Sequence, residues 1–179
     1  MSKRAYVVRK WTAGQRGVAN ADQVNDHTYD KNLILPRLLD QVDPGAGERY
    51  RQQMRDNSLT WYRILDREET GGRYAVFHVS FSAGSDFPNH YHERSQATIL
   101  IVEGSGHVIL DGVRHEISTG DVVHIPPGVA HEFFVAKDGQ RLAYVSVTEP
   151  DIVLRPGETV DWHTLPSGRY AEDGSVREL

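Results

Sequence analysis

The chain contains no cysteine, so disulfide bonds, thiolate metal sites and a cysteine nucleophile are all excluded. That absence leaves the redox compartment open. No apolar run approaches the roughly 18 residues needed to span a bilayer. No apolar segment typical of a signal peptide follows the initial MSKR. The sequence therefore predicts a cytoplasmic protein with no membrane partner.

Positive charge is also scarce, with 20 Lys and Arg against 25 Asp and Glu and a net charge of −5. This balance gives no reason to expect nucleic acid or an anionic membrane surface as a partner. There is no Walker loop and no G-x-S-x-G elbow, so two common kinds of catalytic site find no support. What the chain does have is 39% hydrophobic residues over 179 positions, which suits one folded domain.

The sequence changes character near Leu59. Before it, polar loops alternate with short helical patterns, residues 6–11 have the pattern of an edge strand, and Pro36 is expected to interrupt or begin a helix. After it, short apolar runs are separated by turn residues without intervening helices, which favours a β-barrel or sandwich. We predict an N-terminal extension at 1–58 that packs on the barrel or on a partner subunit, a barrel at 59–155, and a C-terminal tail at 156–179. Asp111-Gly112 predicts a two-residue hairpin turn.

Three histidines stand in two glycine-punctuated strand patterns, Gly84-x5-His90-x-His92 and Gly120-x5-Pro126-x-Gly128-x2-His131. Side chains alternate between the faces of a strand, so His90 and His92 can point the same way. An imidazole from a neighbouring strand would complete a three-nitrogen site suited to Fe, Mn, Ni, Cu or Zn. We therefore predict that His90, His92 and His131 bind one divalent transition metal ion.

The segments GSDFPNHYHERSQATILIVEG and GDVVHIPPGVAHEFFV resemble the two conserved motifs of the cupin superfamily, within roughly residues 73–155. The resemblance implies an all-β fold, a double-stranded β-helix or jelly-roll barrel that holds one metal in its mouth. Two positions depart from the motifs. Val135 stands where the second motif ends in Asn, and the Glu of the first motif falls on Ala97 when counted back from Gly104, whereas Gln96 has the shorter spacing.

Gln96 is thus a candidate fourth ligand, or a hydrogen-bond partner for bound substrate. Strict alternation turns it outward and Ala97 inward, and a single β-bulge reverses that. His124, Tyr91 and Arg94 are candidates for residues near the metal that contact substrate. Without a carboxylate among the ligands the site is electropositive, which favours an anionic or enolisable small molecule.

Three functions remain open. The favoured one is an Fe(II)-dependent dioxygenase acting on a small organic molecule, because a facial three-histidine site leaves room for substrate and O2, as in similar cupins. The second is a non-redox isomerase, cyclase or lyase that uses Zn, Mn or Ni as a Lewis acid. The third is a non-enzymatic cupin that binds a metal or a small ligand. A homodimer is expected by resemblance and because open sheets leave edges that a partner covers.

Overall fold

The computed structural model describes residues 29–56, 58–65, 69–135, 139–152 and 161–165. These ranges contain two helices, α1 (Tyr29–Val42) and α2 (Ala46–Arg55). They also contain ten strands: β1 (Leu59–Leu65), β2 (Ala75–Phe81), β3 (Asp86–Tyr91), β4 (Gln96–Glu103), β5 (Ser105–Leu110), β6 (Val113–Ser118), β7 (Val122–Ile125), β8 (His131–Phe134), β9 (Leu142–Glu149) and β10 (His163–Thr164). The edge strand predicted at residues 6–11 lies outside the described residues.

The strands form two five-stranded antiparallel sheets, in the orders β1-β2-β9-β4-β7 and β10-β3-β8-β5-β6. Some neighbours are consecutive in the chain, such as β1 with β2 and β5 with β6, whereas β4 pairs with β9 and β3 with β8 from far along the chain. The two sheets enclose one apolar core, and the predicted all-β jelly-roll barrel is confirmed.

Alternation along the strands separates the core from the surface. In β4, Ala97, Ile99 and Ile101 are buried, whereas Thr98 and Leu100 between them are exposed. Aromatic rings fill the space between the sheets, with centroids 5.1 to 6.5 Å from their neighbours: Phe81, Phe87, Phe133 and Tyr144. This layer forms the floor beneath the three histidines.

The Asp111-Gly112 turn joins β5 to β6 as predicted, with Leu110 paired to Val113. Both turn residues have positive φ, 48° for Asp111 and 84° for Gly112, which is the type I′ geometry that suits the strand twist. The turn also makes a contact with the segment that leads into His131. The Asp111 carboxylate accepts a hydrogen bond of 2.8 Å from the backbone N–H of Ala130, the residue before His131.

The expectation for Pro36 was wrong, because α1 continues through it from Tyr29 to Val42. A proline inside a helix removes one backbone hydrogen bond, and contacts later in α1 offset that cost. Leu39 is only 1% exposed, and Asp40 Oδ1 accepts hydrogen bonds from the backbone N–H groups of Gly45 and Gly47 at the start of α2. In the part of the chain that the structure describes, neither helix is long and apolar enough to cross a bilayer.

Candidate metal centre

The three predicted histidines lie together at one end of the barrel. His90 is on β3, His92 follows its end, and His131 begins β8, where it is directly opposite His90. All three side chains are buried, and one ring nitrogen of each lies within 4.8 Å of the others. Two antiparallel strands thus bring distant parts of the sequence to one point.

Backbone carbonyl groups fix the orientation of each ring. His90 Nδ1 lies 2.6 Å from the carbonyl oxygen of Pro88, and His131 Nδ1 lies 3.0 Å from that of Val129. The Nδ1 of His92 contacts the carbonyl oxygen of Asp161. A carbonyl can only accept, so each Nδ1 carries the proton and donates it. Nε2 then has the lone pair with which an imidazole binds a metal ion.

Burial affects the charge of His131. It lowers the pKa of His131 to about 4, although the carbonyl of Val129 and the charge of Asp111 act in the opposite direction. Burial also raises the pKa of Tyr144, which lies beside the histidines, above its usual range, and Tyr50 adds to that effect. At neutral pH His131 is therefore an uncharged imidazole and Tyr144 an uncharged phenol.

The histidines line a cavity of about 40 Å³. Its hydroxyl groups come from alternate residues of β9, namely Tyr144, Ser146 and Thr148. The rest of the wall is apolar: Trp61, Phe77, Val79, Phe87, Ala97, Ile99, Phe133, Ile152 and Trp162. Among the described residues, none that bears a carboxylate, ammonium or guanidinium group lines it.

The other predicted site residues lie away from this cavity. Gln96 is half-buried and does not line it, whereas Ala97 does, as strict alternation along β4 requires. His124 is exposed on β7 and its Nδ1 lies 3.1 Å from Thr98 Oγ1. Tyr91 is half-buried with its ring stacked on that of His163 at a centroid distance of 4.7 Å, and Arg94 is exposed. None of these four side chains lines the cavity, so the structure supports no contact between them and a ligand held there.

Two residues beside the histidines were not predicted. Asp161 and Trp162 belong to the segment 156–179 that was predicted as a C-terminal tail, yet they are only 2% and 4% exposed. The Trp162 ring stacks on that of His90 with a centroid distance of 3.4 Å and an interplanar angle of 9°. A tryptophan within a polar stretch was the one signal in the sequence that pointed to a buried contact.

The donor set suits a divalent transition metal. Three imidazoles whose Nδ1 atoms face backbone carbonyl oxygens can each offer Nε2 to Zn, Fe, Ni, Cu or Mn, and they leave coordination positions open on a five- or six-coordinate ion. Val135, at the position of the second motif's Asn, is buried in the core and exchanges backbone hydrogen bonds with Gly84 and Ser85. An apolar residue is therefore well accommodated there.

A family model described as the cupin domain matches residues 77–148, a range that includes β3, β8 and all three histidines. The match spans 72 of the chain's 179 residues. This confirms the resemblance stated from the two motifs, and it places the histidine cluster within the matched range.

Two curated relatives are similar to part of this chain. The chain is 29% identical over 108 residues to quercetin 2,3-dioxygenase of Bacillus subtilis, covering 60% of this chain and 30% of the relative. It is 33% identical over 104 residues to the dimethylsulfoniopropionate lyase DddW of Ruegeria pomeroyi, covering 58% of this chain and 61% of the relative. The chain thus matches less than two thirds of either protein's length.

A solved structure supports the fold. The cupin-2 domain protein of Rhodospirillum rubrum superposes with a TM-score of 0.50 at 18% identity, covering 62% of this chain and 67% of that one. Similarity at this level shows that the two chains share a barrel architecture.

Acid is expected to destabilise the metal-free protein. Burial lowers the pKa of His131 to about 4, and burial together with the charge of Arg141 lowers that of His78 to about 4, against 6.5 for an unperturbed histidine. The unfolded chain therefore binds more protons between pH 6.5 and 4, so stability is complete above 6.5 and falls as the pH drops. The loss from pH 7 to pH 5 is about 2 kcal/mol for each histidine.

Urea unfolding of the metal-free protein at pH 7 and pH 5 measures this loss. Replacing the exposed His124 by alanine should leave the difference unchanged. A free energy of unfolding that stays constant over this range would contradict the buried, neutral state of both histidines.

Proposed function

We propose that this chain is a mononuclear metal-dependent enzyme that acts on a small oxygen-bearing organic molecule, with dioxygen-dependent oxidation as its favoured reaction. The observation that carries the proposal is the convergence of three buried imidazoles, each oriented through Nδ1, on one cavity. A divalent ion bound there supplies Lewis acidity and, if it is iron, the capacity to change oxidation state.

The residues that line the cavity have separate roles in the proposed reaction. The apolar residues around the histidines shield them from bulk water, which strengthens the electrostatic contacts that the three rings make. Tyr144, Ser146 and Thr148 form a row of hydroxyl groups on β9 that can donate hydrogen bonds to an oxygen-bearing substrate. No acidic side chain among the described residues lining the cavity repels an anion, so a carboxylate or enolate suits it.

A second reaction class is supported by the same hydroxyl groups. Burial keeps Tyr144 protonated, so its phenol can donate a hydrogen bond to a developing enolate oxygen in a non-redox elimination or isomerisation. The 33% identity to a lyase adds to this candidate, as the 29% identity to a dioxygenase adds to the first.

Metal analysis followed by paired aerobic and anaerobic assays tests the proposal. The protein as isolated is expected to contain one transition metal ion per chain. Iron-loaded protein should consume O2 with small catechols, β-diketones or hydroxy-ketones, and should be inactive without O2. Turnover that is equal under anaerobic conditions with redox-inert zinc would select the non-redox reaction. A protein that binds no metal would contradict both.

A further inference from the structure

The three histidines differ in where their Nδ1 acceptors come from. For His90 and His131 the acceptor is the carbonyl two residues earlier in the same strand segment, so local backbone geometry sets the tautomer. For His92 it is the carbonyl of Asp161, 69 residues further along the chain. One histidine of the cluster therefore depends on a distant segment, residues 161–165, which we name the C-terminal clip.

The Asp161 side chain fastens the clip to the turn that follows His92. Its Oδ1 accepts the backbone N–H of Glu93 at 2.7 Å, and its Oδ2 accepts those of Arg94 at 3.0 Å and Ser95 at 2.7 Å. Ser95 Oγ adds a fourth donor at 2.6 Å. A buried carboxylate that receives four hydrogen bonds is a strong, charge-assisted anchor, and it holds the Asp161 carbonyl beside His92.

The rest of the clip covers His90. Trp162 lies flat on its imidazole, and the indole N–H donates to Thr164 Oγ1 at 3.0 Å. His163 and Thr164 pair with Tyr91 and His90 as β10, and the pairing continues with Leu165 N–H donating to the carbonyl of Asn89. The clip therefore contacts both His90 and His92, and its strand β10 forms the edge of the sheet that contains β3.

We propose that Asp161 and Trp162 are positioning residues for the histidine cluster, Asp161 by fixing the tautomer of His92 and Trp162 by fixing the ring plane of His90. This proposal rests on the proposed function, because the clip holds the rings of His90 and His92 in the orientation that offers Nε2 to a metal ion. Partners that orient ligating histidines in this way typically affect metal affinity by about 10- to 100-fold when they are lost.

Nitrogen-15 NMR of the imidazole rings in the metal-free protein tests whether Asp161 fixes the tautomer of His92. Wild-type protein is expected to show His90, His92 and His131 as Nδ1–H tautomers. Asp161→Asn places an amide N–H2 group among four hydrogen-bond donors, so it should release the clip and give His92 a mixture of tautomers. His131, whose acceptor is the carbonyl of Val129, should not change and serves as an internal control. An unaltered His92 signal would overturn the role of Asp161.

Zinc affinity, measured by competition with a chelator, tests whether Asp161 and Trp162 contribute to metal binding. Asp161→Asn and Trp162→Ala are each expected to weaken binding by about 10- to 100-fold, and Trp162→Phe, which keeps a ring over His90, should retain most of the affinity. Asp121→Asn is the matched control, because Asp121 also accepts the backbone N–H and hydroxyl of a serine, Ser118, in an exposed turn. Equal affinities for the wild type, Trp162→Ala and Trp162→Phe would overturn the role of Trp162.

The two measurements separate failure of the clip from failure of the proposed function. If the wild type binds no zinc while the His92 tautomer responds to Asp161→Asn, the metal enzyme proposal fails and the positioning role of Asp161 stands. If the wild type binds zinc and Asp161→Asn binds it equally well with an unchanged tautomer, the clip proposal fails alone. Should Asp161→Asn not fold, the Trp162→Ala and Trp162→Phe pair still decides whether the clip positions His90.

Discussion

Replacing His131 by alanine is expected to abolish tight metal binding and any metal-dependent activity. His131 is the one member of the cluster supplied by β8, so without it the two histidines from the end of β3 are left as the ligands. Loss of a direct ligand should weaken affinity by more than the roughly 10- to 100-fold that loss of an orienting partner costs. Calorimetric titration of metal-free protein with Zn²⁺ or Fe²⁺ measures the change.

His124→Ala is the matched control for that experiment. His124 lies in β7 within the same second motif, but it is exposed and its contact is with Thr98. We expect its affinity to equal that of the wild type. Tight binding that persists in His131→Ala, or that is lost equally in His124→Ala, would mean that the ion binds elsewhere.

Gly104→Ala is expected to lower the free energy of unfolding substantially, and by more than Gly120→Ala does. Gly104 has φ of +77°, and a Cβ added there would lie 1.7 Å from the backbone carbonyl oxygen of Arg141. That oxygen can move only if the end of β4 separates from the start of β9. Strain in the left-handed region and the forced separation together should cost about 3 to 5 kcal/mol.

Gly120→Ala isolates the contribution of backbone strain. Gly120 has φ of +99°, and nothing lies within 4 Å of an added Cβ. Alanine there should cost only about 1 to 2 kcal/mol. Denaturant unfolding of both metal-free variants gives the comparison, and equal losses would show that the contact with Arg141 does not constrain β4 against β9.

The sequence was sufficient to predict the strands and the common face of His90 and His92, because both depend on local regularities, whereas the jelly-roll barrel came from the resemblance to the cupin motifs. Alternation along strands brings His90 and His92 to one face, and the Asp111-Gly112 pair dictates its turn. The orientation of Gln96 could not be decided, because one bulge in β4 would reverse it. The structure does contain an irregularity in the pairing of β4 with β9, but it lies between Ile101 and Glu103, so alternation from Ala97 to Ile101 is undisturbed.

Sequence patterns could not have predicted the contacts of the C-terminal clip. β10 has only two residues, too few for a recognisable alternation, and its partner β3 is some 70 positions earlier in the chain. The Asp161 carboxylate acts through backbone N–H groups, which every residue but proline possesses, so nothing in the identity of Glu93 or Arg94 indicates the contact. The division into an extension at 1–58, a barrel at 59–155 and a tail at 156–179 stays a prediction, as does the homodimer.

X-ray absorption spectroscopy of the metal-loaded protein is the most direct test of the proposed metal centre. The account predicts one ion per chain with three imidazole nitrogens at about 2.0–2.1 Å, no sulfur, and the remaining positions filled by water or other light donors. A spectrum that shows one imidazole or none would contradict the assignment of His90, His92 and His131 as the ligands, and with it the proposed enzyme.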